Sequence, residues 1–330
     1  MTSVRSLGVW WLSLSVCTGR PTRRGRSCTS SVRYRRAMML LASGSVSGPS
    51  LDYAADVADI RAVSVVHGTI VAMENRIFEV AGAALSVEIS GHEALPPLLL
   101  LHGGMGSTAD FAELVPLLAD DYRVICMDSR GHGRSTRGDV PLSYQRLEQD
   151  TLAVLDGLGI ARADVMGFSD GGITGLRLAA HHPDRVGTLF TIGSDWQLPE
   201  ASRVFNSQVT PQWWRDRNPD GPYSEAAYAE KNPEPDFERL VTENVAMWTD
   251  NTSTPGYPGE DVRTITAPIV MIRGTDDHLS SHDLAIALQE VLPGAALHEF
   301  PDAGHGVAAS RPAEVATIIR RAPRNQTPAT

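Results

Sequence analysis

Lysine is almost absent from this chain: Lys231 stands alone, and every other permanently basic side chain is arginine, a usage we read as the codon bias of a GC-rich gene rather than as chemistry. Cysteine is scarce. Cys17, Cys28 and Cys126 are too few and too scattered for a disulfide framework or a zinc site, and a reducing compartment is expected. No run reaches the roughly 18 apolar residues that a membrane span needs. A formal charge of −10, spread along the chain rather than gathered in a tail, argues against a nucleic-acid surface. What remains is a chain of 330 residues with 42% hydrophobic content, enough to bury the core of one α/β domain with an insertion.

Acidic residues are missing from the first fifty positions, which hold eight arginines. Residues 1–72 carry nine Arg against three Asp, a net +6, so residues 73–330 carry −16. That asymmetry predicts a boundary at Met73, with residues 1–72 a basic leader outside the mature fold and residues 73–330 the folded domain. The leader reads either as a targeting segment or as sequence upstream of a start at Met73. Leu7 to Val16 has the length of a signal-peptide core, but Cys17-Thr-Gly-Arg is a poor cleavage site, and an Arg- and Ser-rich, acid-poor leader also resembles a transit peptide. The domain itself is expected in the cytoplasm.

Beyond Met73 the pattern is orderly. Arg76 to Val80 and Leu85 to Ile89 alternate as a hairpin, and Leu98 to Leu101 is a continuous apolar run suited to a parallel strand covered on both faces. A helix is expected from Asp110, with Phe111, Leu114, Leu117 and Leu118 at helical spacing, then a strand over Arg123 to Met127. Ser143 can cap a helix whose stripe is Leu147, Thr151, Val154, Leu155 and Leu158. Further strands fall at Val186 to Ile192, Ile269 to Ile272 and Ala296 to Phe300, with helices at His282 to Leu292 and after Pro312. The alternation implies an α/β fold with a mostly parallel sheet and helices on both faces. It breaks between about residues 196 and 263, where Pro, Trp and Tyr accumulate, a lid by position.

Chemistry centres on Val165 to Gly175. Gly167, Ser169 and Gly171 have the G-x-S-x-G spacing that sets a serine on a sharp strand-to-helix turn. A serine hydroxyl is a weak nucleophile at neutral pH, so it needs a histidine base and an acid to orient that base. Arg273-Gly-Thr-Asp-Asp-His278 offers Asp276 or Asp277 as the acid, and Pro301-Asp-Ala-Gly-His-Gly306 offers His305 as the base. An oxyanion hole needs two backbone N–H donors: Asp170, directly after the nucleophile, and one from His102-Gly-Gly-Met-Gly106, where Gly104 is expected and Met105 is the alternative. His102 and His132 are read as loop-structuring. Arg130 is read as a salt-bridged loop residue rather than a carboxylate anchor. His278 and His282 lie four apart without a cluster to complete a metal site, so neither metal nor cofactor is expected. Trp213 and Trp214 are read as lid packing rather than a cofactor platform, and with Asp170 they are the expected substrate contacts.

These motifs, with Asp128-Ser-Arg-Gly-His-Gly-Arg-Ser135, make residues 76 to 321 resemble the α/β-hydrolase superfamily. The resemblance implies a serine hydrolase with a helical lid, acting on a small ester through Ser169, Asp277 and His305. In that superfamily the acid commonly lies three residues after the strand-end glycine, which favours Asp277, and the donor after His-Gly maps to Gly104. The elbow is similar to that of valacyclovir hydrolase and related bacterial esterases, which implies that Asp170 could take the amino group of an α-amino acid ester. Haloalkane dehalogenases place Asp where Ser169 stands. Amide, lactone or carbon–carbon bond hydrolysis, perhydrolysis, and a non-catalytic ligand receptor are alternative uses of the same site.

Overall fold

The computed structural model describes residues 61–66, 69–252 and 254–323. Among the described residues nine strands form one sheet: β1 (Arg61–Val66), β2 (Thr69–Val80), β3 (Ala83–Ser90), β4 (Pro97–Leu101), β5 (Arg123–Met127), β6 (Ala163–Phe168), β7 (Val186–Ile192), β8 (Ile269–Gly274) and β9 (Ala296–Phe300). Their order is β1-β2-β3-β5-β4-β6-β7-β8-β9. The first three pairings are antiparallel and the rest parallel. The sheet starts upstream of the boundary expected at Met73, since β1 pairs with β2 from Arg61 opposite Glu74 to Val66 opposite Thr69. Of the leader expected over residues 1–72, residues 1–60 and 67–68 lie outside the described residues.

The apolar strands divide their side chains between two cores, because successive residues point to opposite faces. Leu99 and Leu101, Ile125 and Met127, Val165 and Leu189, Ile269 and Met271 share one cluster. Leu98 and Leu100, Val124 and Cys126, Met166 and Phe168, Val270 and Ile272 share the other. The first is covered by α2 (Tyr144–Gly157), α3 (Asp170–His181) and α8 (His282–Val291) through Val154, Leu155, Leu176 and Leu288. The second is covered by α1 (Val115–Leu118), α9 (Val307–Ser310) and α10 (Pro312–Arg321) through Leu118, Val307, Val315 and Ile319. The helix expected from Asp110 is instead a 3₁₀ turn at Thr108–Phe111 followed by the short α1. Pro116 forbids a continuous helix there by removing a donor and clashing with the preceding turn. Phe111, Leu114 and Leu118 are nevertheless fully buried.

Between β7 and β8 lie α4 (Glu200–Asn206), α5 (Pro211–Arg217), α6 (Glu225–Lys231) and α7 (Phe237–Thr249). They carry a small core of their own, in which Val209, Phe237, Leu240 and Val241 pack with Met105 and against Trp213, Trp214 and Trp248. Polar anchors tie this insertion down. Asn232 Nδ2 donates to the carbonyls of Gly133 (3.1 Å) and Ser135 (2.9 Å), and Arg137 pairs with Glu243 at 2.7 Å. Asn244 Nδ2 donates to His132 Nε2 at 3.1 Å. Burial pushes the His132 imidazole down to about 3, which keeps that nitrogen unprotonated and able to accept.

Candidate active site

The carboxyl ends of β4, β6, β7 and β8 point to one edge of the sheet, the place where open α/β sheets hold ligands. There the chain turns from β6 into α3 through Ser169, whose backbone sits at φ 51° and ψ −116°. A left-handed serine costs on the order of 1 to 3 kcal/mol and persists only where its surroundings enforce it. Here they do. Its N–H donates to the Ile192 carbonyl (2.8 Å), and its own carbonyl accepts from Gly172 N–H (2.8 Å) and Ser194 Oγ (2.9 Å). The flanking glycines are a matter of space: a Cβ on Gly167 would stand 2.2 Å from the Gly171 carbonyl oxygen, and one on Gly171 2.1 Å from that of Leu101.

His305 lies between β9 and α9, with its ring 5.0 Å from Phe168, and its Nδ1 is 2.9 Å from Asp277 Oδ2. A carboxylate only accepts, so Nδ1 carries the proton and donates, leaving Nε2 of the neutral ring as a base. Asp277 is buried, and its Oδ1 accepts the N–H groups of Leu279 (2.8 Å) and Ser280 (3.1 Å). Burial alone would raise its pKa, but the hydrogen bond and charge of His305 and those two donors outweigh it and hold the carboxyl below its ordinary value. Asp276 is exposed, and its carboxylate meets only its neighbour Thr275 Oγ1, at 3.3 Å. Of the two acids left open by the motif, Asp277 is the one on the histidine.

Ser169, His305, Gly104 and Asp170 all line one cavity of about 630 Å³, together with Trp213, Trp214, Trp248 and Tyr257 from the insertion. Among the described residues neither Gly104 nor Asp170 donates its backbone N–H to another group. Met105 packs into the core of the insertion and does not line the cavity. The loop bearing Gly104 is held by His102, whose Nδ1–H donates to the Gly103 carbonyl (2.7 Å) while Nε2 accepts the Ser129 N–H (2.9 Å). A Cβ on Gly104 would meet Asp170 Oδ2 at 2.4 Å and the Trp248 ring at 2.5 Å, so only glycine fits.

Each carboxylate oxygen of Asp170 accepts one hydrogen bond. Tyr144 Oη–H donates to Oδ1 at 2.8 Å and Trp248 Nε1–H to Oδ2 at 2.7 Å. Burial raises its pKa and these two neutral donors only partly offset that. Other expected residues lie elsewhere. Arg130 is fully buried and fork-bound to Asp150 at 2.6 and 2.7 Å. His282 Nδ1 lies 2.9 Å from Glu299, whereas His278 lines the cavity, and among the described residues no His, Cys, Asp and Glu cluster is arranged for a metal. Two contributors escaped the sequence reading. Tyr144 opens α2 as an apparently ordinary core residue, and Asp195, two residues past Gly193, also lines the cavity. Its position just after an apolar strand was the signal available. Among the described residues no helix is long and apolar enough to cross a membrane.

A family profile described as alpha/beta hydrolase fold matches residues 96–252. A protein of Caulobacter sp. strain K31 named as carbamate hydrolase RutD is 27% identical over 238 residues, which is 65% of this chain and 85% of that one. A fluoroacetate dehalogenase of a Burkholderia species is 34% identical over 118 residues, 34% of this chain and 38% of that protein. The solved enol-lactonase of Burkholderia xenovorans LB400 superposes with a TM-score of 0.59 at 24% identity, covering 74% of this chain and 98% of its own.

Proposed function

The chain belongs to the α/β-hydrolase superfamily and is a hydrolase, and on that premise we propose that it cleaves small carboxylic esters through an acyl-enzyme on Ser169. One observation carries the reading: Ser169, on a strained strand-to-helix turn, shares a cavity with an imidazole whose far nitrogen is bound to a buried carboxylate. Ser169 Oγ attacks the acyl carbon while His305 Nε2 takes its proton. The oxyanion that forms is met by the N–H groups of Gly104 and Asp170, both of which line the cavity. His305 returns the proton to the leaving alcohol, then activates a water that releases the acid and regenerates Ser169. Asp277 holds the imidazole in the useful tautomer throughout. The longest-matching relative named above carries the name of a carbamate hydrolase, and a carbamate, like an ester, presents an acyl carbon that a serine beside such a base can attack.

Substrate preference follows from Asp170. Asp170 lines the cavity, its carboxyl is raised by burial, and among the described residues its side-chain hydrogen-bond partners are the neutral donors Tyr144 and Trp248. Each carboxylate oxygen retains a second lone pair. A protonated α-amine on the acyl group would supply the missing charge, worth about 1.5 to 3 kcal/mol or roughly ten- to a hundred-fold in selectivity. Trp213 and Trp214 form the apolar wall for the rest of the substrate. The test is hydrolysis of matched α-amino and des-amino esters by wild type, Ser169→Ala and Asp170→Asn. Ser169→Ala should lose on the order of a million-fold in rate while folding normally. Asp170→Asn should remove the preference for the amine and spare the des-amino rate. Equal wild-type rates on both esters would remove the amine from the proposal, and activity retained at more than a few per cent without Ser169 would remove the mechanism.

A further inference from the structure

Asp195 takes no part in the reaction as written, yet the residues around it are those of the catalytic pair. It follows the end of β7, is 8% exposed and lines the cavity. Its Oδ1 accepts both the Ser280 hydroxyl and the Ser281 N–H, each at 3.0 Å. Those donors belong to the turn whose Leu279 and Ser280 N–H groups bind Asp277 Oδ1. The turn from Asp277 to Ser281 is thus fastened twice, inward by Asp277 and sideways by Asp195. Gly193 brings the β7 end against the pair itself: a Cβ there would stand 2.9 Å from His305 Nδ1 and 3.0 Å from Asp277 Oδ2.

We propose that Asp195 is a positioning residue for the Asp277–His305 pair, anchoring the turn that presents Asp277 and adding a second negative charge near the imidazole. The proposal rests on the serine-hydrolase reading of Ser169. In the reaction His305 becomes positively charged when it takes the serine proton, so a second carboxylate beyond Asp277 favours that charged state. The groups acting on Asp195 are Asp277 and His305 from the loops after β8 and β9, Ser280 and Ser281 from the turn, and Tyr257 from the insertion. Burial pushes the Asp195 carboxyl up to about 6, Asp277 adds to the rise, and Ser281, Ser280 and His305 oppose it. Its charge therefore changes near pH 6 and contributes to the acid limb of the rate profile.

Three variants separate anchoring from charge when kcat and KM for a neutral p-nitrophenyl ester are followed against pH, with circular dichroism as the check on folding. Asp195→Asn keeps an acceptor and loses the charge, so the acid limb of kcat/KM should move to lower pH by about half a unit. Asp195→Ala loses both, and kcat should fall about ten- to a hundred-fold, the range seen when the partner orienting a catalytic ligand is removed, with KM nearly unchanged. Ser280→Ala keeps the charge and loosens the turn, so kcat should fall with the acid limb unmoved; it serves also if Asp195→Ala does not fold. An unmoved profile in the Asn variant with unchanged kcat in the other two overturns the proposal. So does an effect confined to KM, which would make Asp195 a substrate contact. Fluorophosphonate labelling of the wild type separates the two levels: no adduct on Ser169 means the serine-hydrolase reading has failed, whereas an adduct with unaltered variants means only Asp195 was misread.

Discussion

Replacing Asp195 with asparagine should make the protein more stable at pH 8, while it moves the acid limb of catalysis. The carboxyl rises from its ordinary 3.8 to about 6 on folding, because it is buried near Asp277. A carboxyl raised in the folded state contributes stability that is fully present below pH 3.8 and is lost as pH rises through about 6. Above that, the folded chain holds a charge it would rather not hold. At 1.36 kcal/mol per pH unit, the penalty carried at neutral pH is about 3 kcal/mol. Asparagine imitates the protonated acid, since its oxygen can accept from Ser280 and Ser281 and it carries no charge. The variant should therefore gain up to about 3 kcal/mol at pH 8, or about 6 to 12 °C in melting temperature for a domain of this size. The gain should shrink as pH falls below 6 and vanish near pH 4. Urea or thermal melts of both proteins across that range read it directly. A variant less stable than wild type at pH 8, or an offset that ignores pH, would refute the reasoning. Gain of stability with a displaced pH profile is the pattern expected where a buried charge is kept for function.

Two further outcomes follow from the geometry of the acid and of the oxyanion loop. Asp277→Asn should lower kcat about ten-thousand-fold through the wrong imidazole tautomer, while the exposed Asp276→Asn should change it little; the reverse ranking in steady-state kinetics would exchange their roles. Gly104→Ala puts a methyl group 2.4 Å from Asp170 Oδ2 and 2.5 Å from Trp248, which must displace the insertion from the elbow. Overpacking of this kind costs about 1 to 3 kcal/mol, and the kcat for a small ester should fall with it, whereas melts and rates like those of wild type would show that the loop yields freely.

The serine turn and the histidine loop proposed as nucleophile and base were legible because their constraints are local. A serine turn that tight needs Gly167 and Gly171 beside it, and these leave their spacing in the sequence. Strands whose odd and even residues feed two cores leave continuous apolar runs, so the sheet could be read as well. The acid was legible only to within one residue from the motif itself, because the strand-end turn decides which of Asp276 and Asp277 faces inward. Asp195 was not legible, since its partners Ser280 and Ser281 lie 85 and 86 positions away and no short pattern links a carboxylate to a hydroxyl at that distance. The same holds for Asp170 and Trp248, 78 positions apart. The pairing of β1 with β2 upstream of Met73 was not legible, because net charge describes solvation and not strand pairing. Pro116 shows the opposite error, an apolar periodicity that survives as burial after the helix carrying it has been cut short.

The central claim, a serine nucleophile activated by His305, is tested most directly by reacting the protein with a fluorophosphonate and mapping the adduct by peptide mass spectrometry. A single stoichiometric adduct on Ser169 is predicted, absent from Ser169→Ala and formed far more slowly in His305→Ala. An unlabelled protein, or an adduct on another residue with Ser169 unmodified, would contradict it.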